Sequence, residues 1–151
     1  MAIQLQLRKG TKAQNDAFVG AEGELTYDTQ TQGLRIHDGT TQGGHMIDTV
    51  VAWQVPTAEN NYTWYRKYAS GWVEQGCSAL TNISPSGVTL SLPVTMSQFQ
   101  YMVILTPISY SGDGIGVSVV SRTENSFIAK NKNYGSSATV PCLWQVSGMA
   151  A

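Results

Sequence analysis

Apolar and polar positions alternate from the start of the chain. Ile3, Leu5 and Leu7 are separated by Gln4 and Gln6 and followed by Arg8, the period of a half-buried strand, and Lys9-Gly10 closes it. Thr11-Lys12-Ala13-Gln14 has the form of a capping box, which predicts a short helix opening at Thr11, running to about Phe18 and stopped by Gly20. Residues 24–28 read as a second strand, 29–33 as a polar turn, 34–37 as a third strand and Asp38-Gly39 as a further turn. Residues 1–48 thus predict a small strand-helix-hairpin module. It has few large apolar side chains and too little surface to bury comfortably alone, so self-association is expected.

Residues 49–151 carry strand signals at short intervals and no helical stripe. Residues 50–55 form one run, ended by Pro56. Tyr62, Trp64, Arg66 and Tyr68 alternate along the next, and Ala69-Ser70-Gly71 turns the chain into residues 72–75, a β-hairpin. Val88, Leu90, Leu92, Val94 and Met96 alternate cleanly. Residues 101–105 are apolar on both faces, as in a central or an interface strand. Residues 115–121, 126–130 and 140–146 complete the set. Strands joined by Gly, Ser and Asn turns predict a mostly β protein, with the small N-terminal module followed by an antiparallel β-sandwich or β-prism.

Composition narrows the function. Only 13% of residues are charged, and the net charge is -1, against the basic excess that nucleic-acid binding requires. At 42% hydrophobic, the chain has enough apolar content to pack. No apolar run is long enough to cross a bilayer, so no membrane insertion is expected. Nothing at the start resembles a signal peptide, so synthesis in a cytoplasm is expected. Cys77 and Cys142 lack metal-ligand spacing and are expected as small buried strand residues without a disulfide.

Catalytic parts are scarce. His37 and His45 are the only histidines and lack a nucleophile motif, so they read as surface or turn residues. His37, Asp38, His45 and Asp48 fit no standard metal spacing, and Gly39, Gly43 and Gly44 suggest a flexible turn there. Carboxylates for glycoside cleavage would have to come from Glu59, Glu74, Asp113 and Glu124. Gly112-Asp113-Gly114-Ile115-Gly116 lacks the βαβ context of a phosphate loop and reads as a long turn. No enzyme activity, metal or cofactor is expected.

The aromatic residues are more informative. Trp53, Trp64, Trp72 and Trp144 fall on strands and are expected to be buried. Tyr110 and Tyr134 instead lie among Gly, Ser and Asn, in the loops 109–114 and 131–137. Tyrosine in such a setting suits an adaptable binding surface. The candidate recognition residues are Tyr110, Asp113, Asn131, Lys132, Asn133 and Tyr134.

Two stretches carry a family resemblance. Leu7-Arg8-Lys9-Gly10-Thr11 with Gln14, Gly23-Glu24-Leu25 with Asp28-Thr29, and Leu34-Arg35-Ile36-His37-Asp38-Gly39-Thr40-Thr41 resemble a module common near the N-terminus of phage tail-fibre proteins. Phage hyaluronidases and the phage major tropism determinant carry similar modules, often with Gly where His37 stands. Trp53-Gln54, Pro56-Thr57-Ala58-Glu59-Asn60, Tyr62-Thr63-Trp64-Tyr65-Arg66-Lys67-Tyr68 and Gly71-Trp72-Val73-Glu74-Gln75-Gly76 are similar to C-terminal knob domains of phage tail fibres, which often place a second Gly where Cys77 stands. The resemblance implies an intertwined homotrimeric virion fibre protein of tail or capsid, without a shaft. It implies residues 1–48 as the module that trimerises and docks on other virion proteins, and residues 49–151 as the knob. An adhesin for a bacterial surface glycan or outer-membrane component is the leading expectation. A decoration protein without a receptor is the alternative.

Overall fold

The chain folds almost entirely as β-structure, as its alternation predicts. A computed structural model describes residues 6–108, 115–133 and 139–151, with twelve strands and one helix among them. It divides into two units, Met1–Ala52 with Tyr68–Gly71, and Trp53–Lys67 with Trp72–Ala151.

In the first unit, β1 (Arg8–Gly10), β2 (Leu25–Asp28), β3 (Leu34–Ile36) and β4 (His45–Ile47) form a four-stranded sheet in that order. β1 runs parallel to β2, so the link between them is a crossover containing α1 (Lys12–Ala17); the other pairs are antiparallel. The capping box is present. Thr11 Oγ1 accepts from the Gln14 N–H at 3.3 Å, and Gln14 Oε1 accepts from the Thr11 N–H at 2.9 Å. Strand β1 runs through Lys9-Gly10 rather than ending there. Strand β4 was not expected. Gly43 and Gly44, at φ 81° and 59°, make the tight turn that feeds it, where the sequence suggested only a flexible segment.

The interior of this unit is polar. Asn15, Thr26, Asp28, Arg35 and His37 are all buried. Arg35 Nη2 lies 2.7 Å from Asp16 Oδ1 and 3.3 Å from Asp28 Oδ2, and Nη1 donates to the Gly43 carbonyl at 3.0 Å. Asp28 Oδ1 accepts from the N–H groups of Gln30 and Thr31 at 2.9 and 3.1 Å. Asn15 Nδ2 donates to the carbonyls of Gly10 and Thr11, both at 3.0 Å. His37, expected at the surface, is 2% exposed. Its Nδ1 accepts from the Gly20 N–H at 3.2 Å, its Nε2 lies 3.1 Å from Thr26 Oγ1, and Phe18 packs edge-on against its ring. A Cβ on Gly20 would stand 2.6 Å from the imidazole. Gly20 is therefore there for close approach to His37, and the helix has already ended at Ala17.

In the second unit, one sheet has the order β5-β6-β7-β12-β9 and the other β10-β11-β8. The strands are β5 (Val50–Gln54), β6 (Thr63–Tyr68), β7 (Trp72–Ile83), β8 (Val88–Ser91), β9 (Met102–Pro107), β10 (Ile115–Arg122), β11 (Ser126–Asn133) and β12 (Val140–Met149). The two sheets share one apolar core, with Val73, Cys77 and Ile83 from β7, Phe127 from β11, and Trp144 and Val146 from β12. Phe127 and Trp144 meet edge to face at 5.5 Å. Cys77 and Cys142 are free and buried, and burial raises the Cys142 thiol above its ordinary pKa. Buried Gln75 donates to the Val94 carbonyl at 2.9 Å and accepts from the Val94 N–H at 2.8 Å.

Several expectations need correction here. Strand β9 is an edge strand, so of the two expected places, central or interface, the central one is excluded. The alternation at residues 88–96 forms a strand only to Ser91, where Pro93 soon removes a donor; Met96 keeps a single bridge to Ala150. Trp144 is buried and Trp64 half-buried, but Trp72 is 40% and Trp53 67% exposed.

The ionic interior makes the first unit acid-sensitive. Burial alone would raise the Asp28 pKa, but the N–H groups of Thr31 and Gln30, with Arg35, outweigh it and hold the carboxyl below its ordinary value. The Lys12 and Arg35 side chains lower Asp16 as well. A lowered folded-state pKa gives stability that is fully present above the unfolded pKa of about 3.9 and lost as pH falls through the folded value. The first unit should therefore lose stability below about pH 4. Asp28→Asn should cost about 3–5 kcal/mol at neutral pH, because it leaves Arg35 with one partner fewer in a buried site. Thermal melts from pH 7 to pH 2 check both, and an unchanged melting temperature in the variant would contradict the account.

Candidate functional site

The sheet register positions the strand ends that flank the polar loops expected to recognise a ligand. Ile115 pairs with Asn133, so β10 begins where β11 ends. The Ile108 N–H donates to the Pro141 carbonyl at 2.8 Å, and Pro107 pairs with Cys142. The described ends Ile108 and Val140 thus adjoin on the five-stranded sheet, as Ile115 and Asn133 do on the other. The β7–β8 turn meets β11, because the Asn131 N–H donates to the Ser84 carbonyl at 3.2 Å.

The candidate residues fall into three groups. Tyr110, Asp113 and Tyr134 lie outside the described residues. Lys132 is exposed on β11, and Asn133 ends that strand. Asn131 needs correction as a recognition residue. Its side chain is 5% exposed, and Nδ2 donates to the Ile83 carbonyl. Its polarity serves to fasten β11 to the end of β7, and nothing in the local pattern marks that role, because the partner is a backbone carbonyl 48 positions away.

The outer face of the five-stranded sheet is the second candidate surface. Inward positions on β12 are Cys142, Trp144 and Val146, so Leu143, Gln145 and Ser147 point outward. Gln145 pairs with Ile104, Ser147 with Met102, and Met149 with Trp72. This face exposes Trp72, Met102, Ile104 and Met149, at 40%, 57%, 46% and 43%. Apolar side chains gathered on one sheet face mark an interaction surface more than scattered ones do. A third feature, a cleft of about 320 Å³, lies between β5 and β6, with Trp53 and Trp64 in its walls.

Among the described residues, the candidate carboxylates lie on separate elements. Glu59, Glu74 and Glu124 sit respectively in the β5–β6 turn, on β7 and in the β10–β11 turn, and Asp113 is outside the described residues. Its own backbone N–H and Thr57 hold Glu59 below its ordinary pKa, the reverse of what a general acid needs. Among the described residues, no group of three His, Cys, Asp or Glu side chains is placed to hold a metal. His45 pairs with Asp38 at 3.1 Å, and Asp38 otherwise holds the turn at Thr40 and Thr41, whose donors keep its carboxyl strongly acidic. No helix among the described residues is long and apolar enough to cross a membrane.

Comparison with known proteins places the first unit. Residues 5–41 match the family model of the Major tropism determinant N-terminal domain. A stretch of 44 residues is 46% identical to the tail fiber receptor-binding protein of Bordetella phage BPP-1, covering 29% of this chain and 12% of that protein. In structure, the chain is similar to the N-truncated R2-type pyocin tail fiber, with a TM-score of 0.49 at 12% identity over 66% of this chain and 39% of that one. It is also similar to the Major Tropism Determinant P3c variant, with a TM-score of 0.27 at 28% identity over 42% of this chain and 20% of that one. The N-terminal resemblance seen in the sequence is borne out.

The Asn131 fastening has a measurable consequence. Asn131→Ala strands the buried Ile83 carbonyl and should cost roughly 1–3 kcal/mol. Chemical denaturation reads this directly, and a loss near zero would return Asn131 to the set of surface residues.

Proposed function

We propose that the chain is a bacteriophage virion fibre protein acting as a homotrimeric adhesin, without enzymatic activity. The carrying observation is the match of residues 5–41 to the Major tropism determinant N-terminal domain, a module also found in the tail fiber receptor-binding protein of Bordetella phage BPP-1. In this reading the first unit seats on another virion protein, after synthesis in the host cytoplasm. The loop end of the second unit meets a bacterial surface glycan or outer-membrane component. Tyr110, Asp113, Lys132, Asn133 and Tyr134 supply stacking and hydrogen-bonding groups there. Each contact is weak, about 1 kcal/mol net for a hydrogen bond, so three copies acting together give useful avidity. The outer face bearing Met102, Ile104 and Trp72 supports self-association.

Two measurements test the reading. Labelled protein should adsorb to cells of the host strain, and the Tyr110→Ala/Tyr134→Ala double variant should adsorb at least ~10-fold more weakly while assembling normally. Unchanged adsorption would reject these loops; no adsorption by the parent protein would favour a decoration protein of the tail or capsid. Mass photometry should give a trimer, and Ile104→Asp should weaken it by placing a charge on the shared face. A parent protein that stays a folded monomer would reject the trimer.

A further inference from the structure

Among the described residues, Trp53 is the most exposed large hydrophobic side chain, at 67%. It was expected in the core, and an indole left in water asks for a partner. It lines the cleft between β5 and β6 together with Gln54, Val55, Pro56, Trp64 and Arg66. The cleft is about 320 Å³, at the small end of the ~300–1,000 Å³ usual for ligand sites. Its lining alternates in character. Two indoles and a proline offer flat apolar surface, while the exposed Arg66 guanidinium offers a planar set of hydrogen-bond donors.

The turn that joins the cleft walls is rigidly built. Asn60 Nδ2 donates to the Val55 carbonyl at 2.7 Å, Asn60 Oδ1 accepts from the Thr57 N–H at 2.9 Å, and Thr63 Oγ1 donates to the Asn60 carbonyl at 2.7 Å. Gln54 Nε2 donates to the Thr63 carbonyl at 3.1 Å, which fixes the amide. Asn61 and Tyr62 follow at φ 53° and 57°, a left-handed pair without glycine. For a bulky residue such as Tyr62 that conformation is a strained outlier, and strain of this kind gathers at ligand clamps. The Tyr62 N–H is held to the Thr57 carbonyl at 2.7 Å, and Tyr62 remains 47% exposed.

We propose that this cleft is a binding site for a pyranose sugar, with Trp53 as the stacking platform. A sugar ring has an apolar C–H face and a rim of hydroxyls. The face lies on the indole, and the hydroxyls meet the Arg66 guanidinium, which shares the outer face of β6 with Trp64. An apolar peptide would leave that guanidinium without partners, at a cost once it is desolvated. The site uses none of the loops at the end of the sandwich, so it stands or falls separately from the adhesin reading. The pre-set turn lowers the ordering cost of a weak ligand.

Methyl glucoside, methyl galactoside and methyl N-acetylglucosaminide at millimolar concentration are the probes, read by saturation-transfer NMR on the full-length protein. At least one should show transfer to its ring protons. Trp53→Ala should bind it at least ~10-fold more weakly, and Trp53→Phe, which keeps a flat ring, should bind between that variant and the parent. Both variants should keep the parent's melting temperature and native mass. The proposal is overturned by no transfer from any of the three sugars, or by full binding in Trp53→Ala. It is equally overturned if Trp53→Ala changes the assembly state, since the indole would then cover a neighbouring copy.

Discussion

The second unit depends on β12. That strand pairs with β7 on one side and β9 on the other, and its inward residues Cys142, Trp144 and Val146 form the middle of the core. The close approach of β7 to β12 leaves no room for a side chain at Gly76, where a Cβ would stand 2.6 Å from the Trp144 carbonyl oxygen. Register follows from this contact. With Trp144 facing Phe127, the alternate positions of β12 must face outward, and the cross-strand partners Ile104 and Met102 are exposed on that face, beside half-buried Gln145 and buried Ser147. The apolar outer face and the buried core are two consequences of one alternation.

The first unit is held differently. It places Arg35 between Asp16 and Asp28 and buries His37 under Gly20, where a larger domain would use apolar side chains. Buried ion pairs add little net stability over apolar packing but are demanding in geometry. This explains why a short segment can be recognisable in sequence. The residues that carry the match, including Thr11, Gln14, Glu24, Asp28, Arg35 and Asp38, are those that cap the helix, fill the interior or hold the turns. Their types are dictated by specific hydrogen bonds, so few substitutions preserve the fold.

The β architecture was legible because strand alternation is local: the helix cap at Thr11, the hairpin at residues 69–71 and the strands from Val88 onward all announce themselves. What escaped was set by distant partners. His37 is polar and near a turn, yet buried, because Gly20 and Thr26 supply its hydrogen bonds. Trp53 and Trp144 look alike along the chain, but one lies on an edge strand beside a cleft and the other on the central strand. Asn131 read as a loop residue because its partner carbonyl belongs to another strand. Of the candidate recognition residues, Lys132 and Asn133 lie on β11, Asn131 is buried, and Tyr110, Asp113 and Tyr134 lie outside the described residues.

The function proposed above gives the two units separate tasks, recognition by the second and assembly into the particle by the first. Hydrogen exchange on the full-length protein, with and without isolated host-cell envelopes, tests this division most directly. The account predicts slowed exchange in the second unit, centred on residues 109–114 and 131–137, with the first unit unchanged. Slowing confined to residues 6–47, or no slowing anywhere, would contradict it.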